Sequence, residues 1–404
     1  MGAPEASASA NPPAGPSAGR LFLDCLLLGF TAWGGFMALL AQAQTRFVQH
    51  RRWLSEAEFA DLIALVSLLP GPQAVNALAL MGHRLLGWAG FTAALVGIVA
   101  PGFAIVSALW WGYGWLQAYP QWQQALTWGV LAPLAMILAQ AAITQAKKAA
   151  PGWKERALAA AAAVGLLAWP FGAAPLLVMA GAALVARLAW PAPALKGAAP
   201  GGTLRTRTLL LCLAPAGLAI FQLWPDLLPA ARHSQLGLAF AGLSTTLFGG
   251  GLVMVPLLES LVVQRLHWLD SAGFSAALAA SQLTPGPILS VATFTGLQAG
   301  GLLGALAATA GIYLPTALIT VGAGGLTAHL QHAQGFQHAM LGVRCAVVGL
   351  IAGAALSLLW RLPLQTMPTA SALWLVVAAA LVLRWKLPPW LSLGVGVVLA
   401  WVTL

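Results

Sequence analysis

Apolar stretches of about 20 residues or more run from end to end of the chain, each closed by a short polar or basic loop, without the two-residue alternation of barrel strands. In order they predict helical segments over 21–45, 57–82, 87–113 and 122–146, shorter pieces over 157–169 and 171–188, and a segment over 207–228. The series continues with 236–263, 271–298, 300–327, 335–360, 370–383 and 387–404. A hydrocarbon core about 30 Å thick takes roughly 20 helical residues to cross. Lipid offers no partner to an unpaired backbone group, so helices do the crossing. The expected fold class is an all-α polytopic membrane protein.

Two kinds of break interrupt these runs, and both recur. Gly34-Gly35 divides the first segment and Pro70-Gly71-Pro72 the second; Gly249-Gly250 and Pro285-Gly286-Pro287 divide their later counterparts. Trp53-Leu54 and Trp268-Leu269 lie between the breaks. From Gly34 to Pro72 each landmark recurs 215 residues on, and Gly82, Gly87, Gly90 and Pro101 recur 214 residues on as Gly296, Gly301, Gly304 and Pro315. The chain therefore reads as a duplication, with repeats over 20–188 and 236–404. Residues 189–235 hold a linker and one unduplicated segment. Residues 1–19, rich in Ala, Pro, Ser and Gly, have the composition of a disordered tail.

Each half makes an even number of crossings whether its two broken units span the membrane or turn back as hairpins. The extra segment then inverts the second half about an axis in the membrane plane. Thirteen of the 19 Lys and Arg lie at or before Arg207, as expected if most first-half loops face the cytoplasm. Hairpins place the patch Arg46–Arg52, Arg84 and the cluster Lys147–Arg156 together on that side.

Composition narrows the class further. At 60% hydrophobic and 7% charged the chain is not a soluble protein. Its net charge of +10 belongs to loops flanking apolar runs and reads as membrane orientation, not as a nucleic-acid surface. Cys25, Cys212 and Cys345 sit inside apolar segments without CxxC or His spacing, so neither a disulfide framework nor a metal site is expected. HExxH, paired carboxylates and a P-loop are missing, and the one GxSxG match, Gly15–Gly19, falls in the Ala/Pro-rich tail, so no catalytic residues, no cofactor and no ATP use by this chain are expected.

The breaks carry the candidate chemistry. Proline lacks the N–H donor, and glycine reaches backbone conformations closed to other residues, so each motif ends one half-helix and starts another. The new N-terminus exposes unpaired N–H groups and suits an anion. Candidate substrate-binding positions are therefore Gly34, Gly35, Pro70, Gly71, Pro72, Gly249, Gly250, Pro285, Gly286 and Pro287. Gln73, Asn76, Gln282, Thr284 and Ser290 beside them can bond an oxyanion without bringing charge, and Trp33 adjoins the first glycine pair. Arg344, inside the apolar run 341–350, could neutralise a dianion. The plainer readings are kinks, close packing and helix–helix polar contacts, with Arg344 snorkelling to the interface. Asp24 and Asp61 are the acids deepest in apolar context and candidates for carrying a proton; a surface or helix-end position is the alternative. Glu56, Glu58 and Asp270 fit the first turns of helices.

The glycine pair, the run RxxxxRRWLSEAEF from Arg46 to Phe59, LLPGP at 68–72 and the GxxxxGxxG spacing of Gly82, Gly87 and Gly90, repeated in the second half, resemble the CHR family of chromate ion transporters in its long two-domain form. That resemblance implies a secondary transporter exporting chromate, with sulfate as its structural analogue, from a bacterial inner membrane. Its partners would be the oxyanion and the lipid bilayer, with a homodimer left open. Many family members carry Pro, His, an Arg-Glu pair and Gln where this chain has Phe36, Leu39, Gln44, Thr45 and Ser67. Transport of sulfate or another anion is the alternative, and a membrane-embedded enzyme or structural protein the remote one.

Overall fold

The computed structural model describes residues 16–33, 35–67, 69–116, 118–169, 174–189, 231–247, 254–285, 288–323 and 334–404. Among them the regular structure is entirely helical. The expected segment 207–228 and the candidates Gly34, Gly249, Gly250, Gly286 and Pro287 lie outside the described residues.

Helix α1 (Ala18–Thr31) begins where the Ser17 side chain accepts from the Arg20 amide, and it stops at Ala32 before the glycine pair. Helix α2 (Gly35–Gln44) continues as a π-helical turn over Thr45–His50. The two are antiparallel arms of a hairpin. Gln42 Nε2 donates to the Thr31 carbonyl at 3.2 Å, and farther from the tip Asp24 receives both Arg46 and Arg51. In one straight helix residues 24 and 46 would stand about 33 Å apart.

Helix α3 (Glu56–Val66) opens on a capping box in which Ser55 and Glu58 satisfy each other's backbone amides. After the Pro-Gly-Pro turn, α4 (Gln73–Leu116) is two helices joined by non-helical Leu86 and Gly87. It folds back on itself there. A Cβ on Gly82 would strike the Gly90 carbonyl, and one on Gly90 the Gly82 carbonyl, although a continuous helix would separate them by about 12 Å. The glycines at 82 and 90 let the two backbones touch, and Gly87, with φ of 63°, makes the turn. The first half closes with α5 (Pro120–Ala149), α6 (Trp153–Ala168) and α7 (Ala174–Ala189).

The second half holds α8 (Arg232–Thr245), α9 (Met254–Glu259) with its π turn Ser260–Arg265, α10 (Ser271–Gln282), a 3-10 turn Ile288–Ser290 and α11 (Val291–Gly322). Then come α12 (Gln334–Trp360), α13 (Pro368–Ala379) with the π turn Ala380–Arg384, and α14 (Pro389–Thr403). Local details recur at the spacing seen in the sequence. The π turns Thr45–His50 and Ser260–Arg265 each lead to a left-handed residue, Arg52 at φ 53° and His267 at φ 48°. Both following helices start at a side-chain cap, Ser55 or Asp270, and Gly301 repeats the φ of 63° at Gly87.

Among the described residues four helices are long and apolar enough to cross a membrane, Gln73–Leu116, Gln121–Ala149, Val291–Gly322 and Ala339–Trp360, and shorter apolar helices lie at Ala174–Ala189, Pro368–Arg384 and Pro389–Thr403. This is an all-α membrane protein. Helix α1 packs on α4, α8 on α11, and α4 on α11 across the two halves. Helix α5 lies against α12, α13 and α14, whereas α12 lies against α6 and α7. Small residues set these crossings: Gly129 meets Gly396, and Gly342 meets Ala182.

Candidate functional site

The Pro-Gly-Pro turn of the first half is buried. Gly71 has φ of 104°, a conformation that glycine alone adopts without strain, and this aims its N–H at the Leu247 carbonyl, 2.6 Å away at the end of the α8 arm. A Cβ at Gly71 would sit 2.5 Å from Thr316 Cβ and Oγ1 on α11. Asn76, fully buried, donates from Nδ2 to the Pro70 carbonyl at 3.2 Å and accepts at Oδ1 from Thr316 Oγ1 at 3.5 Å. Its side chain therefore ties the break to the helix that follows and reaches the other half.

A matching contact comes from the second half. Thr284 Oγ1 donates to the Ser281 carbonyl at 2.8 Å and lies 3.4 Å from Ser290 Oγ. Ser290 in turn faces Gly102, where an added Cβ would stand 3.9 Å from Ser290 Cβ. Asn76 and Ser290 are 214 residues apart, as are Gly102 and Thr316. The polar residue after each break thus packs on the residue that follows Pro101 or Pro315 in the other half.

These surroundings offer donors and carry no formal charge. The first helical hydrogen bond of α4 runs from the Asn76 amide to the Pro72 carbonyl at 2.9 Å, which leaves the amides of Gln73, Ala74 and Val75 ahead of it pointing back toward the break. Ala74 and Val75 are buried, so water does not readily cover their amides. Gln282, 7% exposed just before the second break, has an Nε2 with no hydrogen-bond partner among the described residues. A buried donor left without an acceptor costs roughly 1–3 kcal/mol, and this one stands beside the second break.

Other sequence candidates lie elsewhere. Trp33, at the tip of the first hairpin, packs its ring edge-on against Trp390 of α14 at 6.0 Å. Gly35 opens α2. Arg344 is exposed on α12 and Asp61 is exposed on α3, so neither joins the buried group. Asp24 occupies no surface or helix end: it is 1% exposed and lies between Arg46 and Arg51, which bond it at 2.8–2.9 Å. The acid that sequence reasoning passed over is Glu259, 5% exposed at the end of α9, which pairs with Arg361 just beyond α12. A lone acid and a lone base in separate apolar segments were the available signal, but only folding brings them together. Outside the membrane-spanning segments, the Ser55 backbone amide and hydroxyl hold the Glu58 carboxyl below its usual range, and the Arg84 charge contributes. Helix α3 packs against α4, so the chain also reverses at the Pro-Gly-Pro turn.

The chromate transporter family model matches this chain twice, over residues 19–187 and 234–401. A chromate transport protein of Cupriavidus metallidurans is 31% identical over 87% of this chain and 84% of its own length. A probable chromate transport protein of Synechococcus elongatus is 31% identical over 85% of both chains, and a chromate transport protein of Pseudomonas aeruginosa is 29% identical over 88% of this chain and 84% of its own. No solved structure matches. By two matches that together span most of its length, the chain belongs to the chromate transporter family, a family of membrane transporters and not of enzymes.

Proposed function

We propose that this chain exports chromate, a tetrahedral oxyanion dianion, from the bacterial cytoplasm across the inner membrane, and that it binds the ion beside the polar residues that flank the two Pro-Gly-Pro motifs. The observation that supports this reading is the exchanged contact of Asn76 with Thr316 and of Ser290 with Gly102, which ties the polar residue following each break to the opposite half. The amides at the start of α4, Gln282 Nε2 and the hydroxyls of Thr284, Ser290 and Thr316 would supply the hydrogen bonds. The proposed inversion of the second half would present the breaks from opposite faces of the membrane, which suits alternating access.

Neutral donors fit a site that must also let go. A guanidinium 4 Å from a dianion at an effective dielectric of 20 would hold it by about 8 kcal/mol, whereas hydrogen bonds from amides and hydroxyls contribute about 1 kcal/mol each. Conduction needs binding that is favourable on entry and still weak enough to leave. Export has a driver without any coupled proton: a negative interior contributes about 2.3 kcal/mol per charge per 100 mV, hence roughly 4.6 kcal/mol for a dianion.

The test is accumulation of labelled chromate by inside-out vesicles carrying the protein, with an imposed interior-positive potential and with sulfate as competitor. Protein-dependent uptake that grows with the potential and falls in Gln282→Leu and Thr284→Val is expected. Vesicles with and without the protein filling at the same rate would overturn the reading.

A further inference from the structure

At the open end of the first hairpin, two arginines share one carboxylate. Arg46 Nε bonds Asp24 Oδ1 at 2.9 Å, with Arg46 Nη2 on the same oxygen. Arg51 Nε bonds Oδ2 at 2.8 Å and Arg51 Nη2 bonds Oδ1 at 2.9 Å. The group keeps one net positive charge. Its parts are unequally placed, since the Asp24 side chain is 2% exposed while those of Arg46 and Arg51 are 31% and 37% exposed. An ion arriving from solution meets guanidinium, with the acid hidden behind it. The Nη1 group of each arginine makes no hydrogen bond among the described residues. Arg51 is held in position by the Trp53 ring, whose centroid lies 5.6 Å from its guanidinium carbon, and Trp53 is itself stacked on buried Phe47.

We propose that Arg46 and Arg51 form a loading site for a tetrahedral oxyanion dianion, ahead of the central site, and that Asp24 is its built-in counter-charge. This rests on the transport reading above. Two guanidinium forks already converge on the paired oxygens of one carboxylate. A tetrahedral oxyanion offers the same two-oxygen edge with twice the charge, the partner that planar guanidinium matches best. Asp24 cancels one of the two positive charges, so the ion is attracted to the mouth and not trapped there.

A purely structural clamp explains less. The equivalent positions of the second half are Ala239, Leu261 and Leu266, yet the same turn forms there. Leu266 N bonds Leu261 O at 3.0 Å and Trp268 N bonds Val262 O at 2.8 Å, just as Arg51 N bonds Arg46 O and Trp53 N bonds Phe47 O, both at 2.9 Å. The turn needs none of the three charges. One arginine would also suffice to neutralise Asp24; the second leaves one net positive charge, partly exposed, where an anion can meet it.

The experiment compares KM and kcat for chromate uptake into inside-out vesicles at low ionic strength, for the wild type, Arg51→Gln, Arg51→Lys and Asp24→Asn. Loss of a hydrogen bond to a charged partner predicts a KM about tenfold higher in Arg51→Gln, with kcat within about twofold and partial recovery in Arg51→Lys. Added salt should raise the wild-type KM more than that of Arg51→Gln. Asp24→Asn should lower KM about tenfold, the effect of removing a like charge behind the site. Should Asp24→Asn fail to insert, Arg51→Gln still decides, because it leaves Asp24 paired with Arg46. A wild-type KM in Arg51→Gln, or a fall in kcat alone, overturns the loading site while wild-type uptake keeps the transport reading. Absence of wild-type uptake overturns both.

Discussion

Replacing Gly71 by alanine is the smallest change that probes the junction of the two halves. At φ of 104° an L-residue is strained, by about 1–2 kcal/mol on the scale of left-handed backbone. The new methyl would also lie 2.5 Å from Thr316 Cβ and Oγ1 and 2.8 Å from Cγ2, where carbon atoms normally rest about 3.5–4.0 Å apart. Thr316 is fully buried and β-branched, so it has little room to turn aside. Relief requires the turn or α11 to move, an overpacking cost of about 1–3 kcal/mol. Such a shift also stretches the 2.6 Å bond from the Gly71 amide to Leu247. The expected total is about 2–5 kcal/mol, read as a lower thermal unfolding midpoint in lipid nanodiscs together with slower chromate uptake. Thr316→Gly removes all three struck atoms, so Gly71→Ala combined with Thr316→Gly should regain the steric share and keep the backbone share. The double-mutant cycle should then give a coupling of about 1–3 kcal/mol. Stability within about 0.5 kcal/mol of wild type for Gly71→Ala, at unchanged uptake, would mean that the break does not meet Thr316 in this way.

Three further outcomes follow from placement. Arg344 is exposed on α12, so Arg344→Gln should leave the chromate KM within about twofold of wild type, and a tenfold rise would return this arginine to the site. Gln49 and Gln264, both exposed at matching positions of the two halves, should react as single cysteines with an impermeant maleimide from opposite faces of the membrane if the second half is inverted; labelling from one face removes the inversion. Ser55→Ala should cost about 1 kcal/mol through loss of the cap on α3. Because Ser55 holds the Glu58 carboxyl below the usual range of a glutamate, that stabilisation is complete above the unfolded pKa and is lost as pH falls through the folded one. The gap between wild type and Ser55→Ala should therefore shrink in acid, and a gap that widens there contradicts the assignment.

What the sequence disclosed was local. Length of apolar runs, glycine and proline at the breaks and the acids at helix starts are written within a few neighbouring residues: Glu56 and Glu58 lie in the first turn of α3 as expected, whereas Asp270 caps α10 from one position ahead of it. The hairpin form of the first broken unit followed from where the basic residues fall, and the Asp24 contacts agree with it. Tertiary partnership was not legible. Asp24 meets Arg46 and Arg51 across 22 and 27 residues, and Glu259 meets Arg361 across 102, distances at which spacing says nothing about contact. Arg344 shows the converse failure: its apolar neighbours suggested a buried charge, but the face of α12 that is buried depends on α5, α6 and α7. The π turns have no residue signature, and they shift the register of every side chain beyond them.

Burial of polar groups divides unevenly between the halves, and the division bears on mechanism. Among the described residues of the first half the buried polar side chains are Asp24 and Asn76, whereas the second half buries a series of hydroxyls along α10 and α11. Thr284, Thr309 and Thr316 stand where the first half has Leu69, Leu95 and Gly102. Most such hydroxyls bond a carbonyl of their own helix, as Thr295 bonds Val291 at 2.9 Å and Thr320 bonds Thr316 at 2.7 Å, and this makes them cheap to bury. Presenting the proton to an anion instead means giving up one such bond, at about 1 kcal/mol. Two places along the second half are less committed: Ser290, whose hydroxyl lies 3.4 Å from a Thr284 hydroxyl already donated to Ser281, and the pair Thr293 and Thr309 across the folded α11. Under the proposed function the first half then attracts the ion with charge at its mouth, and the second half holds it by neutral donors at the centre. That order lowers the ion into the membrane without a fixed charge at the midpoint, where a guanidinium would bind the dianion too strongly to release it.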